Sequence, residues 1–266
     1  MRLHRSIALL LAFAVSPALA QSPEAIADLA PTGKLRAAIN FGNGVLAQKG
    51  ADGAPRGVSV ELAAELAKRL GVPVSYDLYE AAGKVFEGAK AGAFDVGFIA
   101  MEPVRAEQMT FTAPYLTIDG TYMVRKDSTL QFVGDVDRPG VTIAVGLGSA
   151  YDLYLTRTVK SATLKRAPTG GGSAMIEMFL RDGLDVAAGV RQALEAYAVD
   201  HPDMRVMTGH FQEIRQAMGM PRVEGKPRAA GSAYLAEFVE EMKASGFVAA
   251  ALARSGQTAT VAPAAK

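Results

Sequence analysis

Two arginines each follow an apolar segment that has the composition of a buried strand. Arg105 comes shortly after the run FDVGFIA, and Arg191 comes directly after the run LDVAAGV. A guanidinium beside the end of a buried strand can bind a carboxylate through two parallel, charge-assisted hydrogen bonds. The repeated arrangement therefore predicts a site for an anion, with a carboxylate as its natural occupant.

Alternating strands and helices would hold these arginines in place. Residues 34–40 and 72–79 have strand composition, and the helix predicted between them, at residues 58–71, places leucines four residues apart and ends on a glycine. The alternation restarts after residue 127. Apolar strands between helices indicate mostly parallel sheets covered on both faces, here in two similar lobes. Because ligands bind beyond the carboxyl ends of such strands, both arginines are expected to face a cleft.

Composition excludes several classes of function. The chain has 266 residues, of which 50% are hydrophobic, and its net charge is +1. It is long enough for one large or two small domains, and its charge gives no indication of a nucleic-acid or anionic-membrane partner. It has no cysteine and only three scattered histidines. The sequence therefore predicts no disulfide, no cysteine nucleophile, no metal site and no cofactor.

The first 20 residues have the pattern of a secretory signal peptide. Arg2 and Arg5 precede an apolar run at residues 7–15, and the sequence ALA at residues 18–20 fits a cleavage site. The apolar run is too short to span a bilayer. We expect cleavage after Ala20 and export as a soluble protein, most simply to a bacterial periplasm. The alternative is that this segment stays attached as a membrane anchor.

Four sequence motifs follow one another along the chain. They are GVSVELAAELAKRLGV, FDVGFIAMEPVRAEQMTFTAPY, DVDRPGVTIAVGLGSA and LRDGLDVAAG. Together they resemble the type II periplasmic solute-binding proteins of amino-acid ABC transporters, the bacterial extracellular solute-binding protein family 3, over residues 33–255. The resemblance implies a two-lobed α/β fold in which each lobe is a mostly parallel sheet flanked by helices.

The same resemblance implies that two hinge strands join the lobes and let them close on a ligand. The hinges are then expected near residues 122–125 and 217–220. This places residues 21–123 together with 218–266 in the first lobe and residues 124–217 in the second.

The resemblance also assigns ligand-binding residues. The family arginine that grips the ligand carboxylate corresponds to Arg105, and the turn that contacts the same carboxylate corresponds to Gly148, Ser149 and Ala150, beside Tyr151. This turn opens a helix, whose first N–H groups favour an anion. A carboxylate held by both elements would touch both lobes and stabilise the closed state. Ser149 could instead serve only as a helix N-cap, and Tyr151 only as a core residue.

Two positions depart from the family pattern. The aspartate that pairs the ligand ammonium in amino-acid binders would fall at Val190, and the following Arg191 would repel an ammonium. Arg191 could also pack its stem on the lobe surface. The segment IAMEPVR lacks the usual hydroxyls, and its Glu102 either supplies the missing acid or forms a structural ion pair. Phe41, with Asn43 near it, is the candidate ligand-stacking aromatic. We therefore expect an amino acid or related organic acid as ligand, without favouring a standard α-amino acid.

These features favour a non-enzymatic, monomeric receptor that hands a small-molecule ligand to an ABC transporter permease in the inner membrane. No catalytic residue is predicted for such a receptor. The alternative is a periplasmic enzyme on the same fold, similar to cyclohexadienyl dehydratase, in which the arginines hold a dicarboxylate and Glu102 protonates a leaving hydroxyl. A third possibility is a separate sensor module for a membrane receptor.

Overall fold

The computed structural model describes residues 22–168 and 171–266. The predicted signal peptide at residues 1–20 lies outside the described residues. Within the described part, no helix is both long enough and apolar enough to cross a membrane.

The chain alternates helices and strands up to a first long strand. In order, these elements are α1 (Pro23–Leu29), β1 (Leu35–Asn40), β2 (Gln48–Lys49), β3 (Pro55–Arg56), α2 (Val58–Leu70), β4 (Val74–Tyr79), α3 (Ala82–Lys90), β5 (Val96–Ala100), α4 (Pro103–Ala106), β6 (Met109–Phe111) and the long β7 (Leu116–Arg125).

The alternation then continues through a second long strand to the C-terminal helices. After a 3₁₀ turn at Val133–Asp135 come β8 (Thr142–Gly146), α5 (Ala150–Thr158), β9 (Thr163–Ala167), α6 (Gly172–Arg181), β10 (Val186–Val190), α7 (Arg191–Asp200), β11 (Met204–Val206), the long β12 (Gln212–Pro221), α8 (Ala229–Ala244), α9 (Phe247–Arg254) and β13 (Thr260–Val261).

One continuous sheet connects two lobes. Its strand order is β4-β1-β5-β12-β7-β10-β8-β9. Strands β4, β1 and β5 are parallel in the first lobe, and β10, β8 and β9 are parallel in the second. The long strands β12 and β7 lie between them and pair antiparallel with their neighbours. The predicted fold class, two mostly parallel α/β lobes joined by two strands, is confirmed.

The two long strands pass between the lobes in the segment where they pair with each other. In this segment Leu116 lies opposite Gln216 at one end, and Gly120 lies opposite Gln212 at the other. Beyond this segment, β7 pairs with β10 of the second lobe from Gly120 to Met123, and β12 pairs with β5 of the first lobe from Gln216 to Gly219. Most of the residues expected as hinges, 122–125 and 217–220, are therefore already paired inside one lobe. The crossing lies earlier on β7 and on β12 than the sequence analysis placed it.

Local sequence signals account for the helix that forms the core of the first lobe. Leu62, Leu66 and Leu70 are buried along one face of α2, and Gly71 ends the helix in a left-handed conformation with φ of 67°. Burying each leucine stabilises the fold by about 1.5–3 kcal/mol. The helix predicted at residues 58–71 is confirmed.

Candidate ligand-binding site

A cavity lies between the lobes, where the ends of β1 and β5 and the middle of β12 face the start of α5. Its volume is about 40 Å³. It is lined by Asn40, Gly42, Asn43, Ala82, Ala100, Arg105, Ser149, Ala150, Tyr151, Gly171, Val190, Ile214 and Gln216. A second cavity of about 220 Å³ adjoins it and shares Gly42, Asn43, Tyr151 and Val190 with the first. We call them the polar cavity and the apolar cavity.

Arg105 is fully buried at the wall of the polar cavity. Strand β5 ends at Ala100, and the single-turn helix α4 begins at Pro103, which suits a first helical position because proline has no N–H to donate. This tight turn brings the guanidinium back to the end of β5. One terminal nitrogen donates to the Ala100 carbonyl and the other to the Gly148 carbonyl, each at 2.8 Å. The guanidinium thus bridges the first lobe and the second.

Among the described residues, the Arg105 guanidinium has no acidic partner. No carboxylate lies within ion-pair distance among the described residues, and its Nε has no hydrogen-bond acceptor there. Burial lowers the pKa of Arg105 to about 10, with Glu102 as the opposing influence, so the group is cationic at neutral pH. A buried, unpaired cation is costly, and an anion entering the cavity would remove that cost.

The turn before α5 forms the opposite wall. Gly148 has φ of 71°, and its N–H donates to the Asp152 carboxylate at 2.8 Å. The Ser149 hydroxyl accepts from the Asp152 N–H at 3.0 Å, so Ser149 caps α5. Ser149 and Ala150 also line the polar cavity. The two readings of Ser149, helix cap and cleft residue, are therefore compatible.

Tyr151 lies between the two cavities and lines both. Burial raises the pKa of Tyr151 to about 12, against the opposing effect of a hydrogen bond with Ser149. The phenol is therefore neutral at physiological pH and can donate or accept one hydrogen bond inside the cleft.

The apolar cavity carries hydrophobic side chains along most of its wall. Val45, Met175, Ile176, Val190 and Leu194 contribute to it. Among the described residues, no acidic or basic side chain lines the apolar cavity, and Arg105 is the charged residue that lines the polar one. Val190, at the position expected for the family aspartate, faces both cavities.

Two predicted contact residues point elsewhere. Glu102 accepts from Arg157 at 2.6 Å and from Gln212 at 2.8 Å, and it neither lines the polar cavity nor forms an ion pair with Arg105. Arg191 donates to Asp119 at 3.1 Å and to a backbone carbonyl. The structure does not bring the two strand-end arginines into one cavity, because Arg191 lines neither cavity and donates to Asp119 and, at 3.4 Å, to Glu195.

The two candidates from the first loop have different positions. Asn43 lines both cavities, and its side-chain oxygen accepts from the Val45 N–H at 3.2 Å. Phe41 packs against the core of the first lobe and does not line either cavity. Its expected role as a ligand-stacking aromatic is therefore not supported, because its ring is used for packing.

Gln216 on β12 was not predicted as a site residue. Its side chain is 3% exposed and lines the polar cavity, yet its Oε1 has no hydrogen-bond partner among the described residues. The available signal was an amide that directly precedes the apolar residues AMGM of a strand. A polar group in such a position requires a partner, and here the partner can come from a ligand.

The sequence of the chain matches a known protein family. Residues 46–257 match the family model described as bacterial extracellular solute-binding proteins, family 3. No curated protein matches the sequence.

Similar solved structures include a mutant of ArgBP from T. maritima, with a TM-score of 0.72 and 19% identity over 87% of this chain and 99% of that one. The cysteine-binding protein from Campylobacter jejuni has a TM-score of 0.70 and 22% identity, covering 85% and 90%. The ancestral amino acid-binding protein AncCDT-1, a precursor of cyclohexadienyl dehydratase, has a TM-score of 0.70 and 19% identity, covering 86% and 97%. At these identities the likeness establishes a shared fold and no more.

Proposed function

The chain belongs to the bacterial extracellular solute-binding proteins, family 3, and from this premise we propose that it is a periplasmic receptor for a small carboxylate-bearing solute. It acts as a monomer and delivers the solute to an ABC transporter permease in the inner membrane. The solute lies between the lobes and binds without being converted. Its carboxylate binds Arg105, and Ser149, Ala150 and Tyr151 surround it from the second lobe.

The single observation that carries this proposal is the state of Arg105. A fully buried guanidinium lines a cavity, has no acidic partner among the described residues and leaves Nε unbonded. Charged groups are tolerated inside proteins when they are paired. A solute carboxylate supplies the missing pair with the planar geometry that a guanidinium prefers.

Closure follows from where this pair would form. Arg105 belongs to the first lobe and already donates to the Gly148 carbonyl of the second. A carboxylate between Arg105 and the start of α5 contacts both lobes only when they are together. Such a ligand shifts the population toward the closed form by its differential affinity.

A binding experiment with two matched variants tests the proposal. The purified protein is unfolded and refolded to remove bound solute, then screened against carboxylates by thermal shift and titration calorimetry. Solute at about 100 times its Kd should stabilise the protein by about 2.7 kcal/mol. We expect Arg105→Met to abolish the response. We expect Arg191→Met to keep it, because Arg191 is bound to Asp119 outside the cavities.

Either of two results would overturn the proposal. One is that no carboxylate stabilises the wild-type protein. The other is that Arg105→Met binds as the wild type does. Arg105→Met removes a buried charge but also the donors to the Ala100 and Gly148 carbonyls, so the melting temperature of the unliganded variant is measured first and binding is compared on folded protein.

The enzyme alternative is not supported by the position of Glu102. It required Glu102 in the cleft, and Glu102 instead pairs with Arg157 and Gln212. No other acidic side chain among the described residues lines either cavity. We therefore expect no phenylpyruvate when the protein is incubated with prephenate.

A further inference from the structure

We propose that Gln216 selects solutes that carry a hydroxyl or oxo group on the carbon next to the carboxylate, with an apolar remainder. The solute class is thus a 2-hydroxy or 2-oxo monocarboxylic acid. This inference rests on the proposed function, because it takes Arg105 as the carboxylate partner.

Gln216 and Arg105 lie close together at the wall of the polar cavity. Gln216 pairs with Ala100 across the antiparallel strands β12 and β5, and the Ala100 carbonyl is the acceptor of one Arg105 nitrogen. Residues directly opposite each other in such a pair have Cα atoms about 4.5–5.5 Å apart. The guanidinium and the Gln216 amide therefore line the same small cavity from adjacent positions, so neighbouring atoms of one solute can reach both.

Within the described part of the chain, Gln216 is the amide of the polar cavity whose oxygen has no hydrogen-bond partner. Three amides line the polar cavity. The oxygen of Asn40 accepts from the Gly42 N–H at 3.0 Å, and that of Asn43 accepts from the Val45 N–H. Gln216 is equally buried, but its Oε1 has no partner among the described residues. An unmet buried acceptor is costly, and a solute donor would satisfy it.

The group that Gln216 can bind is expected to be neutral. A neutral amide can accept from a hydroxyl or donate to a carbonyl oxygen, and both suit a neutral substituent. An ammonium would need an anionic partner to offset its desolvation and its repulsion by Arg105. The family position for that acid is Val190, and no acid lines either cavity among the described residues.

The remainder of the solute is expected to be apolar, because the apolar cavity adjoins the polar one. The apolar cavity opens from the polar one and measures about 220 Å³. An apolar cavity of about 150 Å³ can hold a benzene ring, so this volume admits a branched aliphatic or benzyl group. Its wall of Met175, Ile176 and Leu194 would be left wet or empty by a solute as small as acetate.

Titration calorimetry with two matched solute series tests the inference. The first series is 2-hydroxy-4-methylpentanoate, 4-methyl-2-oxopentanoate, 4-methylpentanoate and leucine. The second is phenyllactate, phenylpyruvate, 3-phenylpropanoate and phenylalanine. In at least one series, we expect the hydroxy or oxo acid to bind about five- to tenfold more tightly than the unsubstituted acid. We expect the amino acid to bind at least about 100-fold more weakly than the hydroxy or oxo acid.

Variants assign the preference to Gln216. Gln216→Leu should reduce the hydroxy-to-unsubstituted ratio to less than about twofold while the unsubstituted acid still binds. Gln212→Leu is the control on the same strand, because Gln212 binds Glu102 outside the polar cavity. It should change all affinities in a series by a common factor.

The outcomes separate this inference from the proposed function. If carboxylates of any kind bind and depend on Arg105, but the unsubstituted acid or the amino acid binds best, the inference fails and the receptor function stands. The inference also fails if Gln216→Leu keeps the wild-type ratio. If Arg105→Met binds every solute as the wild type does, the proposed function fails with it.

Discussion

An ion pair between the lobes should control how readily the protein closes. Glu102 lies between β5 and α4 in the first lobe, and Arg157 lies on α5 in the second. Their side chains are joined at 2.6 Å, with exposed fractions of 2% for Glu102 and 41% for Arg157. We therefore predict that Arg157→Met weakens solute binding although Arg157 lines neither of the two cavities of the cleft.

The magnitude follows from the partial burial of the pair. Exposed pairs contribute about 0.2–1 kcal/mol, and breaking fully buried pairs costs about 3–5 kcal/mol. Arg157 is half-exposed, but its bond to the Leu153 carbonyl and its stacking on Tyr154 already restrict it within α5. We expect about 1 kcal/mol, which lowers the closed-to-open ratio about fivefold. The apparent Kd should rise by about the same factor.

Calorimetry on a double-mutant cycle measures this effect directly. The cycle uses Glu102→Gln, Arg157→Met and the double variant, and the coupling energy for binding should be about 1 kcal/mol. Arg36→Met is the control, because Arg36 pairs with the buried Asp95 within the first lobe. It should lower the free energy of unfolding and leave the Kd unchanged. A Kd for Arg157→Met within twofold of wild type, or an equal effect of Arg36→Met, would refute the reasoning.

Three further predictions concern the cleft. An added Cβ at Gly83 would lie 3.1 Å from the Leu147 carbonyl oxygen and 3.4 Å from the Gly148 Cα across the cleft. Gly83→Ala should therefore weaken solute binding about three- to tenfold without lowering the melting temperature of the unliganded protein, which calorimetry and thermal melts will check. Val190→Asp should reverse the solute preference in the matched series, with monocarboxylates bound at least about tenfold more weakly and amino acids gained. Binding a carboxylate favours protonated Arg105 and so raises its pKa from about 10. Binding then takes up a proton at alkaline pH, so the Kd should be constant from about pH 6 to 9 and rise above about pH 10, as titrations across that range will show.

Local patterns in the sequence predict most of the fold. The helix α2 follows from leucines four residues apart and a terminal glycine, and β1 and β4 follow from segments with strand composition. The lobes follow from the restart of the alternation. The paired hinge segment could not be placed as well, because β7 and β12 are each a single strand whose two halves pair in different lobes.

The site was less predictable for a related reason. Arg105 was identified because a strand end and a short turn are local features. Glu102 and Arg191 were placed in the cleft because nothing local to them reveals the partners 55 and 72 residues away that bind them instead. Gln216 was overlooked because its importance depends on which cavity β12 crosses.

The tail after α9 is bound to three elements of the fold. The Thr258 carbonyl accepts from Gln192 of α7 at 2.6 Å, and β13 pairs with Leu116 and Thr117 of β7. The Pro263 carbonyl accepts from Lys243 of α8 at 2.8 Å.

The tail therefore contacts α7 of the second lobe, the hinge strand β7 and α8 of the first lobe. Opening the cleft must stretch it or detach one of its attachments. A fluorescent dye beside Thr258 would then change its surroundings with each opening, and would signal solute capture without any label in the cavity.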